Sequence, residues 1–216
     1  MKTTTLTTAA LLLATATARP SSSSSPAPAP QKRATDPHSV EILTKIAPTS
    51  TTCDGAKYAD ECITAADATQ PLIDSFAKYK VATPPEQAAL LSWMAYESAD
   101  FKYVKNHFPD PGRPGQGTRA MMMPDFVKEY GATLNVNNAD LAGMLDDVIK
   151  AGGEWGAASW YYTSKCSDEI KEGVKTGGKD GWKKFITDCV ETTLDEGENS
   201  REAYWTRASE ALGIKV

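Results

Sequence analysis

Glu97 is the residue whose type and position most clearly suggest chemistry. It ends an apolar stretch, residues 84–97, that leaves almost no polar face when drawn as a helix. A carboxyl group there is partly desolvated and lies near the negative end of the helix dipole, and both effects raise its pKa. A carboxyl that keeps its proton near neutral pH can act as a general acid. The alternative is a solvated glutamate in a last helical turn, although acidic residues are unfavourable there.

The residues on either side of this stretch predict how Glu97 is held. Thr83 and Glu86 have the spacing of a capping box, and Pro84 suits the first position of a helix. Residues 98–125, which follow Glu97, are rich in Gly, Pro, Asn, His, Arg and aromatic residues. We therefore expect a buried helix that delivers Glu97 to a loop forming one wall of a cleft.

The first 33 residues have the pattern of segments that are removed from secreted proteins. Lys2 precedes an apolar run over 9–14, and residues 16–18 have the small–x–small pattern of a signal-peptide cleavage site. The run is too short for a permanent membrane anchor. Residues 19–33 are rich in Ser and Pro and end in Lys32–Arg33, which is typical of a pro-segment. The sequence predicts a signal peptide (1–18), a pro-segment (19–33) and a secreted single domain (34–216).

The charge of the chain disfavours two kinds of partner. Its formal net charge is −5, and removal of residues 1–33 takes away four basic and no acidic residues, so the charge becomes −9. Such a domain is a poor candidate for binding nucleic acid or an anionic membrane surface. We expect a monomer that needs no cofactor and no metal.

The four cysteines predict two disulfides, because the secretory route is oxidising. They are Cys53, Cys62, Cys166 and Cys189. The sequence allows three ways of pairing them, and we favour Cys53–Cys62 with Cys166–Cys189 because each pair joins neighbouring segments. Zinc binding is disfavoured because the intervals are not usual metal spacings and the chain has only two histidines.

Capping residues, glycines and apolar periodicity predict an all-α domain, with no alternating strand pattern and no internal repeat. In the first half of the chain the predicted helices run from Asp36–Pro37 to residue 46, near 56–67, over 70–80 and over 84–97. Two more are predicted over 124–130, which Gly131 ends, and over 139–151, which Asn138 caps. The last three run from a Ser167 cap to 177, from an Asp180 cap to 189, and from about Ser200 to 212. Trp93, Trp182, Phe185 and Trp205 are expected in the core.

Several short motifs occur in a characteristic order. They are Tyr-Glu-Ser (96–98), Asn-His-Phe (106–108), the segment GQGTRAMMMPD (115–125) and Trp-Tyr-Tyr (160–162). This set resembles goose-type lysozymes and soluble lytic transglycosylases, and resembles more closely a group of secreted fungal muramidases, over roughly residues 50–212. The resemblance implies a lysozyme-like helical domain with a buried central helix.

The resemblance also implies a function and a set of catalytic residues. It implies a muramidase that hydrolyses the β-1,4 linkage between N-acetylmuramic acid and N-acetylglucosamine in bacterial peptidoglycan. Glu97 matches the general acid. Asp110 is the first choice for the base of an inverting reaction and Asp125 the second, because Asp125 also suits the first turn of a helix. The family's Gly-Leu-Met-Gln block lacks its Gln here, where residues 121–123 are all Met.

The substrate-contact candidates are polar or aromatic side chains near the same motifs. They are Tyr96, Asn106, His107, Gln116, Arg119, Trp160 and Tyr161. Gln116 and Arg119 can replace contacts of the missing Gln, whereas one or more of the 160–162 aromatics must face the core because neighbouring helix positions point to different sides. A His107-activated nucleophile is disfavoured because no nucleophile-elbow signature occurs.

Alternatives to a muramidase remain open at this point. A lytic transglycosylase or a chitinase is compatible with the same motifs, and so is a non-catalytic secreted protein that binds glycan. The negative charge of the domain is an objection to a bacterial-wall substrate, since that wall is itself anionic.

Overall fold

The computed structural model describes residues 39–215. In this range the chain is helical, without strands, and its extended pairings are two isolated β-bridges, between residues 105 and 117 and between 117 and 122. The predicted all-α class is confirmed. The α-helices are α1 (Val40–Ile46), α2 (Ala65–Tyr79), α3 (Pro84–Glu97), α4 (Pro124–Thr133), α5 (Leu141–Lys150), α6 (Ala157–Lys165), α7 (Asp168–Lys175), α8 (Lys179–Lys184) and α9 (Arg201–Ala211). Short 3₁₀ turns cover Pro48–Thr51 and Gly153–Trp155, and a π-helical turn covers Phe185–Cys189.

Some predicted features lie outside the described residues. These are the signal peptide (1–18), the pro-segment (19–33) and the opening of the first helix at Asp36–Pro37. Within the described range that helix, α1, begins after Ser39, whose hydroxyl accepts a hydrogen bond from the Ile42 amide.

Helix α3 has the bounds that the sequence predicts. The Thr83 hydroxyl accepts a hydrogen bond from the Glu86 amide, and the Glu86 carboxylate accepts one from the Thr83 amide at 3.1 Å, which completes the capping box. Residues 86–95 are all buried. The helix packs most extensively against α9 and also contacts α1, α6 and α7. It is surrounded by protein, as its uniform apolar character requires.

Large aromatic side chains fill the space around α3. Trp93 meets Tyr161 and Phe185 edge to face, with ring centroids 5.5 and 5.6 Å apart. Trp182 stacks on Trp205 at 5.0 Å. The prediction that Trp93, Trp182, Phe185 and Trp205 belong to the core is confirmed by their burial.

The helix predicted over 56–67 is wrong. Residues 53–62 turn back on themselves, and their end Cα atoms lie 5.8 Å apart across the Cys53–Cys62 disulfide. A helix rising about 1.5 Å per residue cannot bring such positions together. Helix α2 begins instead at Ala65, where the Thr64 side chain accepts from the Asp67 amide. It continues through Pro71 and includes most of the separate helix predicted over 70–80.

Three helix boundaries differ from the sequence prediction. Asp140, and not Asn138, caps α5, because its carboxylate accepts from the Gly143 amide at 2.6 Å. Gly178 precedes α8, so that Asp180 lies inside the first turn. Helix α4 continues past Gly131 to residue 133. The predicted caps of α7 and α9, Ser167 and Ser200, are confirmed.

Both disulfides have the pairing that we favour from the sequence, Cys53–Cys62 and Cys166–Cys189. The second joins the end of α6 to the π-helical turn. Among the described residues no cysteine is free.

The helices in residues 39–215 are too short or too polar to cross a membrane.

Candidate functional site

Glu97 is the last residue of α3 and borders solvent at the end of the buried helix. Its side chain is 18% exposed. Burial raises the pKa of the Glu97 carboxyl above its ordinary range, and the nearby Asp195 carboxylate acts in the same direction. The Arg201 guanidinium opposes this shift. The Trp93 indole N–H also favours the ionised form, although it makes no hydrogen bond of ordinary geometry.

Arg201 holds one oxygen of this carboxyl group. It is the first residue of α9, its side chain is 12% exposed, and its Nη1 lies 2.5 Å from Glu97 Oε1. The guanidinium stacks over the Tyr96 ring, 4.2 Å from the centroid, and its backbone amide donates to Asp195. Tyr96 in turn donates its hydroxyl hydrogen to Asp195 at 2.9 Å. Among the described residues no hydrogen bond of ordinary geometry reaches Glu97 Oε2.

Two adjoining cavities meet at Glu97, and we call them together the Glu97 groove. Both contain Glu97, Gln116 and Met121 in their walls. The first, called the polar cavity, has a volume of about 390 Å³ and is otherwise lined by Lys57, Tyr58, Tyr103, Lys105, Asn106, His107 and Phe108. The second, called the methionine cavity, has about 310 Å³ and is otherwise lined by Trp93, Ala120, Met122, Met123, Phe126, Tyr161, Val190, Glu191, Thr192 and Arg201. Glu97 therefore lies where the two halves join.

A larger surface depression, of about 560 Å³, lies beside α8 and the start of α9. Its walls carry mixed charges, including the Lys179–Glu202 ion pair, but it does not contain Glu97. We assign the candidate site to the Glu97 groove because a buried carboxyl with a raised pKa, next to polar and aromatic walls, is the combination expected of a functional cleft.

Four of the predicted substrate contacts lie in the groove with Glu97. Asn106 and His107 line the polar cavity, Tyr161 lines the methionine cavity, and Gln116 lies in both. Asn106 also shapes the loop, since its side-chain oxygen accepts from the Arg113 amide at 3.0 Å. Tyr161 is largely buried and donates to the Cys189 carbonyl, so that only part of its ring can reach a ligand.

The two predicted candidates for the second carboxylate are not in the groove walls. Asp110 is exposed in the loop between Pro109 and Pro111, and Asp125 is exposed in the first turn of α4. Neither lines a cavity that contains Glu97. The structure thus places no predicted base opposite Glu97.

Three of the predicted substrate contacts have other surroundings. Arg119 is 1% exposed and binds the Phe101 and Tyr103 carbonyls and the Glu154 carboxylate. Trp160 packs against core aromatic rings, and Tyr96 lies beneath Arg201. Arg119 through its hydrogen bonds and ion pair, and Trp160 through packing, therefore support the core, because no groove wall includes them.

Three residues that shape the groove belong to no motif in the sequence: Arg201, Tyr58 and Glu61. Arg201 is 104 positions from Glu97, and its only local signal is a position at the start of a capped helix. Tyr58 stacks on His107, and Glu61 binds the His107 ring. Both belong to the Cys53–Cys62 loop, for which a helix was the expectation. No local motif in that loop signals either role.

A metal site is not visible in the side chains of residues 39–215, where no group of three or more His, Cys, Asp or Glu residues could hold an ion.

The chain is similar to a fungal protein of known description. No protein-family model matches the chain. The chain is 33% identical over 157 residues to a protein of Fusarium oxysporum (strain Fo5176) described as a bifunctional dioxygenase (DOX)-epoxy alcohol synthase (EAS). The match includes 66% of this chain but 12% of that protein. The name describes the whole relative, of which the shared segment is a small part.

This comparison contradicts the predicted muramidase activity. The relative's name describes oxygenation and the formation of an epoxy alcohol, and it describes no glycoside hydrolase. The predicted degradation of peptidoglycan and of the bacterial cell wall is contradicted for the same reason. The lytic transglycosylase, chitinase and glycan-binding alternatives share that glycan chemistry and are contradicted with it.

Proposed function

We propose that this domain is an acid–base enzyme that binds an elongated, uncharged ligand along the Glu97 groove. Glu97 donates a proton from Oε2 to an oxygen atom of the ligand. The observation that carries this proposal is the position of Glu97 at the junction of the two cavities. Arg201 holds Oε1, and no hydrogen bond of ordinary geometry from residues 39–215 reaches Oε2. A general acid needs this arrangement, because its proton must face the ligand and not another protein group.

The protonated form of Glu97 fits its contacts. In a neutral carboxyl group one oxygen accepts hydrogen bonds and the other carries the proton. Arg201 can only donate, so the oxygen that it contacts, Oε1, is the acceptor, and Oε2 carries the hydrogen. Burial of the carboxyl group raises its pKa and so favours this form.

The walls of the groove indicate the chemistry of the ligand. The polar cavity offers hydroxyl and amide groups and two lysine ammonium groups, of which Lys105 is already paired with Asp146. The methionine cavity offers sulfur and aromatic surface from Met121, Met122 and Phe126. Methionine side chains adapt to apolar groups of irregular shape. At the junction the Arg201 guanidinium donates to Glu97 Oε1 and lies over the Tyr96 ring, so it is already engaged by protein groups. A neutral ligand with hydroxyl groups and apolar segments fits these walls best.

We further propose that the helical core is of the lysozyme-like type and that the domain is secreted as a monomer. The fully surrounded helix ending in Glu97 supports the fold, and the two disulfides support an oxidising compartment. A fold hosts many activities, so a lysozyme-like core is compatible with chemistry other than glycan cleavage. That the similar Fusarium protein is described as an enzyme supports a catalytic role over a purely structural one.

The experiment measures binding and turnover of a chosen probe. An uncharged long-chain epoxy alcohol is the probe, because the similar protein is described as an epoxy alcohol synthase. The matched control ligand is the saturated alcohol of equal length without the epoxide oxygen. We expect both to bind, and only the epoxy alcohol to be converted. Glu97 protonates the epoxide oxygen, a water molecule bonds to an epoxide carbon and gives up a proton, and the C–O bond to the protonated oxygen breaks.

The matched control variant is Glu97→Gln, which keeps the shape of the side chain and removes its acidic proton. We expect it to retain binding and to lower turnover by about 10²-fold or more. Binding without turnover by the wild type would contradict the catalytic proposal. If neither the epoxy alcohol nor the saturated alcohol binds the folded protein, the proposed ligand chemistry is contradicted.

A further inference from the structure

A buried carboxylate outside the predicted site holds the histidine of the polar cavity. Glu61 is 5% exposed. Its Oε2 accepts hydrogen bonds from the backbone amides of Val104 at 3.0 Å and Lys105 at 3.1 Å, and its Oε1 lies 2.7 Å from His107 Nε2. A buried carboxylate is costly unless hydrogen bonds and charges satisfy it, and these three donors do so. Because both oxygens are engaged, Glu61 fixes the position of the histidine ring.

The ring of His107 is fixed from its face as well as from its edge. Tyr58 stacks on it with centroids 3.7 Å apart and an angle of 7° between the planes. Tyr103 contacts it at a tilt, with centroids 6.0 Å apart. The Cys53–Cys62 disulfide closes the loop that carries both Tyr58 and Glu61. A covalently closed loop thus orients a side chain that is more than forty positions away in the sequence.

This orientation leaves one ring nitrogen without a hydrogen-bond partner among the described residues. A carboxylate only accepts hydrogen bonds, so the neutral His107 ring carries its hydrogen on Nε2, and Nδ1 has a free lone pair. In residues 39–215 no hydrogen bond reaches Nδ1. The side chain is partly exposed and lines the polar cavity that also contains Glu97. A proton acceptor and a proton donor therefore share one cavity.

We propose that His107 is a second catalytic residue of the Glu97 groove and that Glu61 is its positioning residue, an inference that rests on the function proposed for Glu97. As Glu97 Oε2 gives its proton to an oxygen of the ligand, His107 Nδ1 takes a proton from a hydroxyl group of the ligand or from a bound water molecule. One O–H bond breaks at Glu97 and one forms on the ligand, while a second O–H bond breaks and an N–H bond forms on His107. The oxygen that loses its proton forms a C–O bond to a ligand carbon, and the C–O bond between that carbon and the oxygen protonated by Glu97 breaks, as in the opening of an epoxide. The protein neither gains nor loses a proton in these two transfers.

The carboxylate of Glu61 stabilises the imidazolium that this step creates. A base oriented by a hydrogen-bonded third group is the recurrent arrangement of acid–base and nucleophilic sites. After product leaves, His107 loses a proton to solvent water and Glu97 regains one, which restores the starting state.

A purely structural tie between the loops is the competing explanation for the Glu61–His107 contact. Such a tie requires the Nε2 bond but places no demand on Nδ1. The two explanations therefore differ in what they predict for turnover by variants that keep the packing of the His107 ring but change which of its nitrogens can accept a proton.

The first measurement is the tautomer of His107 by ¹⁵N NMR in the full chain at about pH 8, where imidazoles are ordinarily neutral. The chain has two histidines, so His38→Gln leaves His107 as the remaining signal. We expect a hydrogen on Nε2 and none on Nδ1. In Glu61→Gln, whose amide can donate as well as accept, we expect a mixture of both tautomers. A hydrogen on Nδ1 in the wild type would overturn the proposal.

The second measurement is turnover of the epoxy alcohol probe. We expect His107→Gln to lower turnover by about 10²-fold with binding retained, and Glu61→Gln to lower it by roughly tenfold. Glu210→Gln, an exposed change on α9, is the control and should leave turnover unchanged. Full turnover by folded His107→Gln would refute the role of His107. If the wild type does not convert the probe, the proposed function of Glu97 fails, whereas the tautomer result still decides whether Glu61 orients His107.

Discussion

Replacement of Arg119 by methionine separates a structural role from a ligand-binding one. The side chain is buried behind the exit of α3, where Nη1 donates to the carbonyls of Phe101 at 2.8 Å and Tyr103 at 3.1 Å. Nη2 lies 2.8 Å from Glu154 Oε2. Burial lowers the pKa of Arg119 and raises that of the Glu154 carboxyl, while the charge of each partner opposes the shift of the other.

The magnitude follows from these contacts. Among the described residues, Arg119→Met leaves the Glu154 carboxylate with no counter-ion and the Tyr103 carbonyl without its side-chain donor, whereas the Phe101 carbonyl keeps the Ile63 amide. Breaking one side of a buried ion pair costs about 3–5 kcal/mol. With a urea dependence of about 2 kcal/mol per molar, the midpoint of unfolding should fall by roughly 1.5–2.5 M. The double variant Arg119→Met/Glu154→Gln should be more stable than the single variant, because it has no stranded charge.

The assay is urea unfolding followed by far-UV circular dichroism, combined with binding of the epoxy alcohol probe to the folded fraction. We expect a large loss of stability and little change in binding at low urea. A loss of less than about 1 kcal/mol together with much weaker binding would refute this reasoning and favour the ligand contact that the sequence predicts for Arg119.

Three further predictions concern other parts of the molecule. Thr83→Ala removes the capping box of α3 and should lower the free energy of unfolding by about 1 kcal/mol in urea titrations, and an unchanged midpoint would contradict the role of the cap. Phe108 is 84% exposed at the rim of the polar cavity. Phe108→Ser should therefore leave the unfolding temperature unchanged but weaken binding of the epoxy alcohol probe about fivefold. Unchanged binding would show that Phe108 does not contact the ligand. Because the pKa of Glu97 is raised in the folded state, the folded protein holds this proton to a higher pH than the unfolded chain does. The stability of the wild type should therefore fall, relative to Glu97→Gln, as pH rises from the ordinary pKa of a glutamate to the raised one, and a relative increase would contradict the direction of the shift.

Local sequence signals predict the scaffold of the groove well. The capping box at Thr83, the apolar surface of 84–97 and the serine caps of α7 and α9 each depend on residues within a few positions of one another, and all are confirmed. The position of Glu97 at the exit of α3 follows from the same local pattern. Its raised pKa also follows, since burial of the helix is visible in its composition.

The partners of the groove depend on contacts between distant segments. Arg201 reaches Glu97 across 104 positions, and the Cys53–Cys62 loop brings Glu61 to His107 across 46. The local composition of that loop predicts a helix, but the disulfide closes the loop into turns. Arg119 has the appearance of a surface cation in a polar loop, and only the fold shows that its guanidinium is enclosed.

The motif resemblance predicts less about chemistry than about architecture. A helix ending in Glu-Ser beside a polar loop specifies where a carboxyl group lies, but not which ligand reaches it. Asp110 and Asp125 stand at suitable intervals in the sequence, yet the loop and the start of α4 expose both outside the groove. Spacing along the chain therefore did not predict which side chains line the groove.

The central claim, that Glu97 is a protonated donor in the groove, is tested most directly by following its own titration. The ¹³C chemical shift of the side-chain carboxyl group is recorded against pH in the full chain, and the Glu97→Gln variant assigns the signal. We expect the Glu97 pKa to lie clearly above the ordinary range of glutamates, because burial outweighs the charge of Arg201. A Glu97 pKa at or below that range would show that the carboxylate stays ionised beside Arg201, and it would contradict the proposed role of Glu97 as a general acid.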